Sequence, residues 1–156
     1  MGLIERILFP TDFSDNSEYA LDYAIDFAER YGAELIILHV SSPPVYPVAP
    51  EAFIPNYSPE KIAEQLEKEA EEKIDQMIKE KIKQRVPCRK IVLTGTPFKE
   101  IIDTAKDLRV NLIVMATHGR TGLAYAFMGS VAEKVVRKAS CPVLTIKHPS
   151  FVIQPV

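Results

Sequence analysis

The chain reads as an open α/β protein, with five parallel strands and helices on both faces of the sheet. Three observations point there. Short apolar runs without polar alternation recur at residues 4–9, 35–40, 89–94, 111–117 and 142–147, and such runs belong to strands buried on both faces. Between them lie segments whose apolar residues recur at helical spacing. The resulting order, β-α-β-α-β-α-β-α-β, gives a parallel sheet with right-handed crossovers.

Each element carries its own signals. Strand one, residues 4–9, holds Ile4, Ile7, Leu8 and Phe9. Pro10 has no amide to give to a ladder, so pairing is expected to end there. Thr11, Asp12, Phe13 and Ser14 form a turn. Asp15 with Glu18 reads as a capping box for helix one, residues 16–31, which places Leu21, Ala24, Ile25 and Ala28 on one face before a C-cap at Gly32. Strand two is residues 35–40. Residues 41–59 hold six prolines and no helical period. A loop of that length is expected to be irregular and to serve as a lid or a dimer element, or to be disordered.

Ser58 as cap and Pro59 at the first helical position open helix two. It is expected to run to about residue 85, with an apolar stripe of Ile62, Leu66, Ala70, Ile74, Met77, Ile78 and Ile82. Its other face alternates Glu and Lys and reads as solvated surface with i,i+4 pairs. Strand three is residues 89–94. Thr96 and Pro97 then open helix three, residues 97–108, which buries Ile101, Ile102, Ala105 and Leu108. Strand four is residues 111–117. Ser130 with Glu133 forms a second capping box at the start of helix four, residues 130–139, with Val131, Val135 and Val136 turned inward. Strand five, residues 142–147, completes a single domain over 1–147, followed by an extended tail, 148–156.

Bulk properties narrow the function. A chain of 156 residues is one domain by length and can bury roughly two thirds of its unfolded surface. Its net charge of −2, with both signs interspersed, leaves no basic stripe for nucleic acid. No apolar run approaches bilayer-spanning length, and the N-terminus has no signal-peptide pattern. Cys88 and Cys141 form no C-x-x-C and read as reduced thiols of a cytoplasmic protein.

The chemistry concentrates in residues 111–130. A buried strand gives way to a loop with Gly119, Gly122 and Gly129, and then to a helix N-terminus. Backbone amides and the helix dipole at such a junction favour phosphate. Two doubly wound orders suit five strands, 3-2-1-4-5 and 2-1-3-4-5, and ligands sit where the order reverses. With 3-2-1-4-5 the reversal falls between strands one and four. The turn at Pro10, Thr11 and Asp12 and the turn at Ala116, His118 and Gly119 would then flank one crevice, which favours that order. Spacing alone leaves a simple turn open as the role of these glycines. The loop is neither a Gly-Lys-Ser/Thr phosphate loop nor G-x-G-x-x-G. His118 has no Ser, Cys or carboxylate beside it in sequence and reads as a hydrogen-bonding loop residue rather than a general base. His39 reads as a histidine of the core or its rim.

These segments resemble the universal stress protein (UspA) family over almost the whole chain: ILFPTDFS at 7–14, TGTPFKEII at 94–102, LIVMATHGRTGL at 112–123 and GSVAEKVVRKASCPVLTIK at 129–147. The family's nucleotide-binding branch carries Gly, two residues, Gly, nine residues, Gly, then Ser or Thr. Gly119, nine residues, Gly129 and Ser130 match it, and Ala116 replaces the first glycine, adding a methyl near the expected ribose. The resemblance implies a Rossmann-like, adenine nucleotide alpha hydrolase-like fold of order 3-2-1-4-5, with ATP or AMP as ligand. By family position Pro10, Thr11 and Asp12 would line the adenosine, with Asp12 near the ribose or a phosphate-bound Mg or Mn. Val40 would pack on adenine beside Met115. Gly119, Gly129, Ser130 and Val131 would hold phosphates, with Ala116 and His118 bordering them and Arg120 as an extra contact. A homodimer through strand five would cover an otherwise bare sheet edge.

The resemblance thus implies a stress or signalling switch whose state follows its nucleotide, and with no arginine finger or base of obvious geometry in the sequence any hydrolysis is expected to be slow. The competing reading is a dimeric scaffold of the same fold that binds no nucleotide. Adenylyl transferases and ATP pyrophosphatases need an HIGH-type or SGG-x-DS loop after strand one, where PTDFSDNS stands instead. A phospho-receiver would want an Asp where Thr94 and Gly95 stand.

Overall fold

The computed structural model describes residues 2–42, 58–119 and 128–150. Their elements follow in the order β1 Arg6–Pro10, α1 Asp15–Tyr31, β2 Glu34–Ser41, α2 Pro59–Met77, β3 Cys88–Thr94, α3 Pro97–Asp107, β4 Leu112–Ala116, α4 Ser130–Lys138 and β5 Val143–Ile146. All pairings are parallel, and the sheet order is β3-β2-β1-β4-β5. This is the order that the two turns favoured in the sequence, with the reversal between β1 and β4.

Alternation along the strands sorts the core into two layers. Ile7, Phe9, Leu35, Ile37, Leu112 and Val114 face one side and pack on Leu21, Ala24, Ile25 and Ala28 of α1 and Ile74 of α2. Leu8, Ile36, Leu38, Ile113 and Met115 face the other side and pack on Ile101 and Ala105 of α3 and Ala132 and Val135 of α4. Val136, expected inward, is 46% exposed. The buried face of α4 runs through Ala132 and Val135, and Val136 lies past its flank.

The strands are held unevenly, and this opens the site. β1 and β2 stay in register for five pairs, from Arg6↔Glu34 to Pro10↔Leu38. β1 and β4 share only Ile7↔Leu112 and Leu8↔Ile113, so beyond Leu8 they diverge toward their carboxyl ends. Pro10 belongs to β1 rather than following it. The ladder continues because Thr11, not Pro10, supplies the next amide, to the Leu38 carbonyl at 2.9 Å.

Three helix boundaries differ from the sequence reading. Ser14, not Asp15, caps α1, its hydroxyl oxygen accepting from the Ser17 amide at 3.2 Å. Ser14 is extended (φ −72°, ψ 160°), while Asp15 is already helical and complements the dipole. α2 does not run as an α-helix to residue 85. It ends at Met77, and a π-helical turn, Ile78–Ile82, follows, with Lys83 donating to the Ile78 carbonyl. Eight α-helical residues rotate about 80° past two full turns. The wider turn absorbs that excess and keeps Ile74 and Ile82 both fully buried. The third difference lies at α4 and belongs to the site. The expected lid or dimer element falls largely on residues 43–57, and the tail's end on 151–156, both outside the described residues.

Candidate functional site

Where β1 and β4 part, a cleft of about 640 Å³ opens at the carboxyl ends of the strands. Pro10, Thr11, Asp12, Val40, Met115, Ala116, His118, Gly119, Gly129, Ser130 and Val131 all line it. Arg120 lies outside the described residues. The sequence-derived site is therefore one place in the fold.

On the β1 side the turn is locked from within. The Thr11 hydroxyl oxygen accepts from Ser17 Oγ at 2.7 Å and from the Phe13 amide at 3.1 Å. The Thr11 carbonyl is 2.8 Å from His39 Nδ1. A carbonyl can only accept, so that nitrogen carries a proton and His39 is a positioning residue under the turn. Asp12 Oδ1 accepts from both the amide and the hydroxyl of Ser14, at 3.0 and 2.5 Å. The residue that caps α1 thus also orients the carboxylate.

On the β4 side the chain runs close to its neighbours at two glycines. A Cβ on Gly119 would meet Asp12 Oδ2 at 2.5 Å, and one on Gly129 would meet the Thr117 carbonyl oxygen at 3.2 Å. The Gly129 amide donates to that same oxygen at 2.6 Å. His118 is 3% exposed, with Nδ1 2.9 Å from Thr117 Oγ1. It works inside the loop, as the sequence suggested. Ala116 borders the cleft, but its methyl also packs against the core layer beneath α1.

The N-terminus of α4 differs from expectation in a way that matters. Gly129 is the N-cap, with no side-chain cap bond, and Ser130 is the first helical residue. Ser130 and Glu133 therefore do not form a capping box. The first helical amide to find a helix partner is that of Glu133, to the Gly129 carbonyl at 3.0 Å. Helix geometry leaves the amides of Ser130, Val131 and Ala132 without intrahelical acceptors. All three residues line the cleft, so the positive end of the α4 dipole faces it.

The opposite wall went unseen in the sequence. Leu66, Glu69, Ala70 and Lys73 of α2 line the cleft, as do Phe13 and, from α3, Pro97 and Ile101. Spacing of 66, 69, 70 and 73 places these on one face of α2, and that pattern could have flagged them. Phe13 has φ 62°, a left-handed conformation rare for a bulky residue. Its ring stacks on His39 at 4.5 Å between centroids, and Lys73 Nζ lies 5.3 Å from its centre.

Other chemistry is sparse. Among the described residues no group of three or more His, Cys, Asp and Glu side chains could hold a metal ion. Asp12 would be a single protein ligand, so Mg or Mn fits only if phosphate oxygens supply the remaining positions. Both cysteines are free, and burial raises both thiols, Cys88 to about 11. Neither offers a ready thiolate. No described helix is long and apolar enough to cross a membrane.

Fold and cleft together define a class: an open α/β protein whose ligand-sized opening lies at the reversal of strand order. The sequence profile of the Universal stress protein family matches residues 4–147, and the chain belongs to that family. Universal stress protein MJ0531 of Methanocaldococcus jannaschii is 37% identical over 149 residues, covering 95% of this chain and 85% of the relative. MJ0577 of the same organism is 32% identical over 156 residues, covering 94% and 96%. The solved structure of MJ0577 matches with a TM-score of 0.80 at 33% identity, over 94% of this chain and 97% of that one. Two more distant solved members share the fold. One is a universal stress protein in complex with cAMP (21% identity, TM-score 0.61, 92% and 97% covered). The other is from Archaeoglobus fulgidus in complex with dAMP (23%, 0.62, 94% and 100%).

Proposed function

We propose that this universal stress protein binds an adenine nucleotide, ATP or AMP, in the cleft between β1 and β4 and acts as a stress or signalling switch set by occupancy. The observation that carries the reading is the uncapped N-terminus of α4 facing Asp12 across the cleft. Three amides without helix partners and a dipole favour phosphate on one side, and a carboxylate suits ribose hydroxyls on the other. Val40 and Met115 offer apolar surface to a base, beside Pro97 and Ile101. Gly119, Gly129, Ser130 and Val131 take the phosphates, Arg120 adds a contact, and Asp12 holds Mg or Mn through a phosphate oxygen when a metal is present. The cAMP and dAMP complexes of the two distant relatives support the same ligand class. We place the protein in the cytoplasm as a homodimer through β5.

The hydroxyl that stands beside a potential base in the cleft, Thr117 Oγ1 next to His118 Nδ1, is buried inside the loop, so binding is the expected activity, with slow hydrolysis at most. The protein purified without added nucleotide is denatured and the released small molecules are identified by mass spectrometry, followed by titration with ATP and AMP. Release near one nucleotide per chain, or saturable binding with one site, is expected. Neither release nor binding would remove the reading and leave the dimeric scaffold in its place.

A further inference from the structure

The molecule offers several features outside the nucleotide contacts already assigned. Two ring pairs, Tyr19 with Tyr23 and Phe27 with Tyr31, lie along α1, Tyr23 and Tyr31 being exposed, and Lys134 and Lys138 flank Phe98 on the other face. Nothing in either place indicates an occupant. The α2 wall of the cleft carries more.

Lys73 is the one lysine or arginine lining the cleft among the described residues. Neighbouring lysines are spoken for: Lys81 pairs with Glu18 and Lys90 with Asp75. Lys73 makes no ion pair among the described residues. Its ammonium is held over the Phe13 ring instead, a contact that fixes its place without neutralising it. Phe13 in turn is kept in its left-handed conformation by the Thr11 hydroxyl on its amide and by its stack on His39. A strained residue at a cleft points to function. Here the strain places a ring that carries a cation.

The two positive features stand on opposite faces of the sheet. The α4 amides belong to the layer with Met115 and Val135, and α2 belongs to the layer with Phe9 and Ile74. A phosphate seated on the α4 amides next to Gly119 lies on one face, with Asp12 between it and Phe13. We propose that Lys73 is a specificity-determining residue that contacts the terminal phosphates of a nucleoside di- or triphosphate, so that the cleft prefers these to monophosphates. This rests on the nucleotide reading above and adds which nucleotides the site distinguishes. Glu69, one turn away on the same wall, repels an anion there, which leaves the preference dependent on Lys73.

The test is titration of the full chain with ATP, ADP and AMP, for wild type, Lys73→Met and Lys73→Arg. Lys73 is solvent-exposed, so neither variant disturbs the core. Loss of one charged contact to phosphate is expected to weaken ATP and ADP by roughly tenfold in Lys73→Met. AMP affinity is expected to stay at the wild-type value, and Lys73→Arg to restore most of the ATP affinity. Equal losses for ATP and AMP, or no loss for either, would overturn the assignment while leaving nucleotide binding intact. Wild-type protein that binds none of the three would overturn both.

Discussion

A side chain at position 129 would meet the Thr117 carbonyl oxygen at 3.2 Å and His118 Cα at 3.5 Å. The φ of −66° there is ordinary for any residue, so the requirement for glycine is one of space. Gly129→Val should therefore push α4 away from the end of β4. Overpacking of this kind costs about 1–3 kcal/mol, and the displaced helix end should lose nucleotide affinity by at least roughly tenfold. Urea unfolding and titration with ATP measure the two effects separately. A variant that binds like wild type would show that the Gly129 backbone does not position the phosphate site. At this scale much of the site was legible. Asp12, Gly119 and Gly129 are residue types that only a turn, a ligand or a close approach explains, and the pattern named them. Lys73 was not legible, because a lysine among glutamates on a long helix looks like solvated surface until the fold shows which turn overhangs the cleft.

Elements were readable where their signals were local. The apolar runs gave the strands, and Ser58, Pro59, Thr96 and Pro97 gave two helix starts. Two capping boxes misled because a Ser or Asp followed three residues later by Glu fits more than one frame. In α1 the cap moved back one residue to Ser14, and in α4 it fell on a glycine. The second shift strengthens the functional reading, since a capped helix would have spent its amides on its own side chain. The π turn after α2 was hidden because apolar spacing alone does not distinguish 3.6 residues per turn from a local widening. At the opposite end of the β1–β4 pair, Asn111 Oδ1 accepts from the amides of Glu5 and Arg6 at 3.0 and 2.9 Å. The Asn111 amide returns a bond to the Arg6 carbonyl at 3.0 Å. With only two registered pairs joining these strands, this side chain carries a disproportionate share of their pairing. Asn111→Ala should destabilise by about 1–3 kcal/mol, read as a lower urea midpoint. A change within a few tenths of a kcal/mol would mean that water replaces it without cost.

For the whole molecule, the sheet ends in two edges, β3 and β5, and the α2 side of β3 is partly covered by Lys90 bonded to Asp75. β5 is four residues long and its Val143, Leu144 and Thr145 are half-buried, while Val136 on α4 is exposed. A two-fold pairing of β5 would cover this edge. Sedimentation equilibrium should give a mass of two chains at micromolar concentration, and a mass of one chain would remove the dimer from the proposal. The order of strands, which the unusual turns after strands one and four favoured in the sequence, is what makes the cleft, because it sets β1 beside β4 and lets them diverge.

The most direct test of the central claim is the amide spectrum of ¹⁵N-labelled protein during titration with ATP and then AMP. The account predicts saturable shifts at Gly119, Gly129, Ser130 and Val131, together with Asp12 and Val40, while the outer face of α1 stays unchanged. An unchanged spectrum at saturating nucleotide, or shifts gathered away from the β1–β4 cleft, would contradict it.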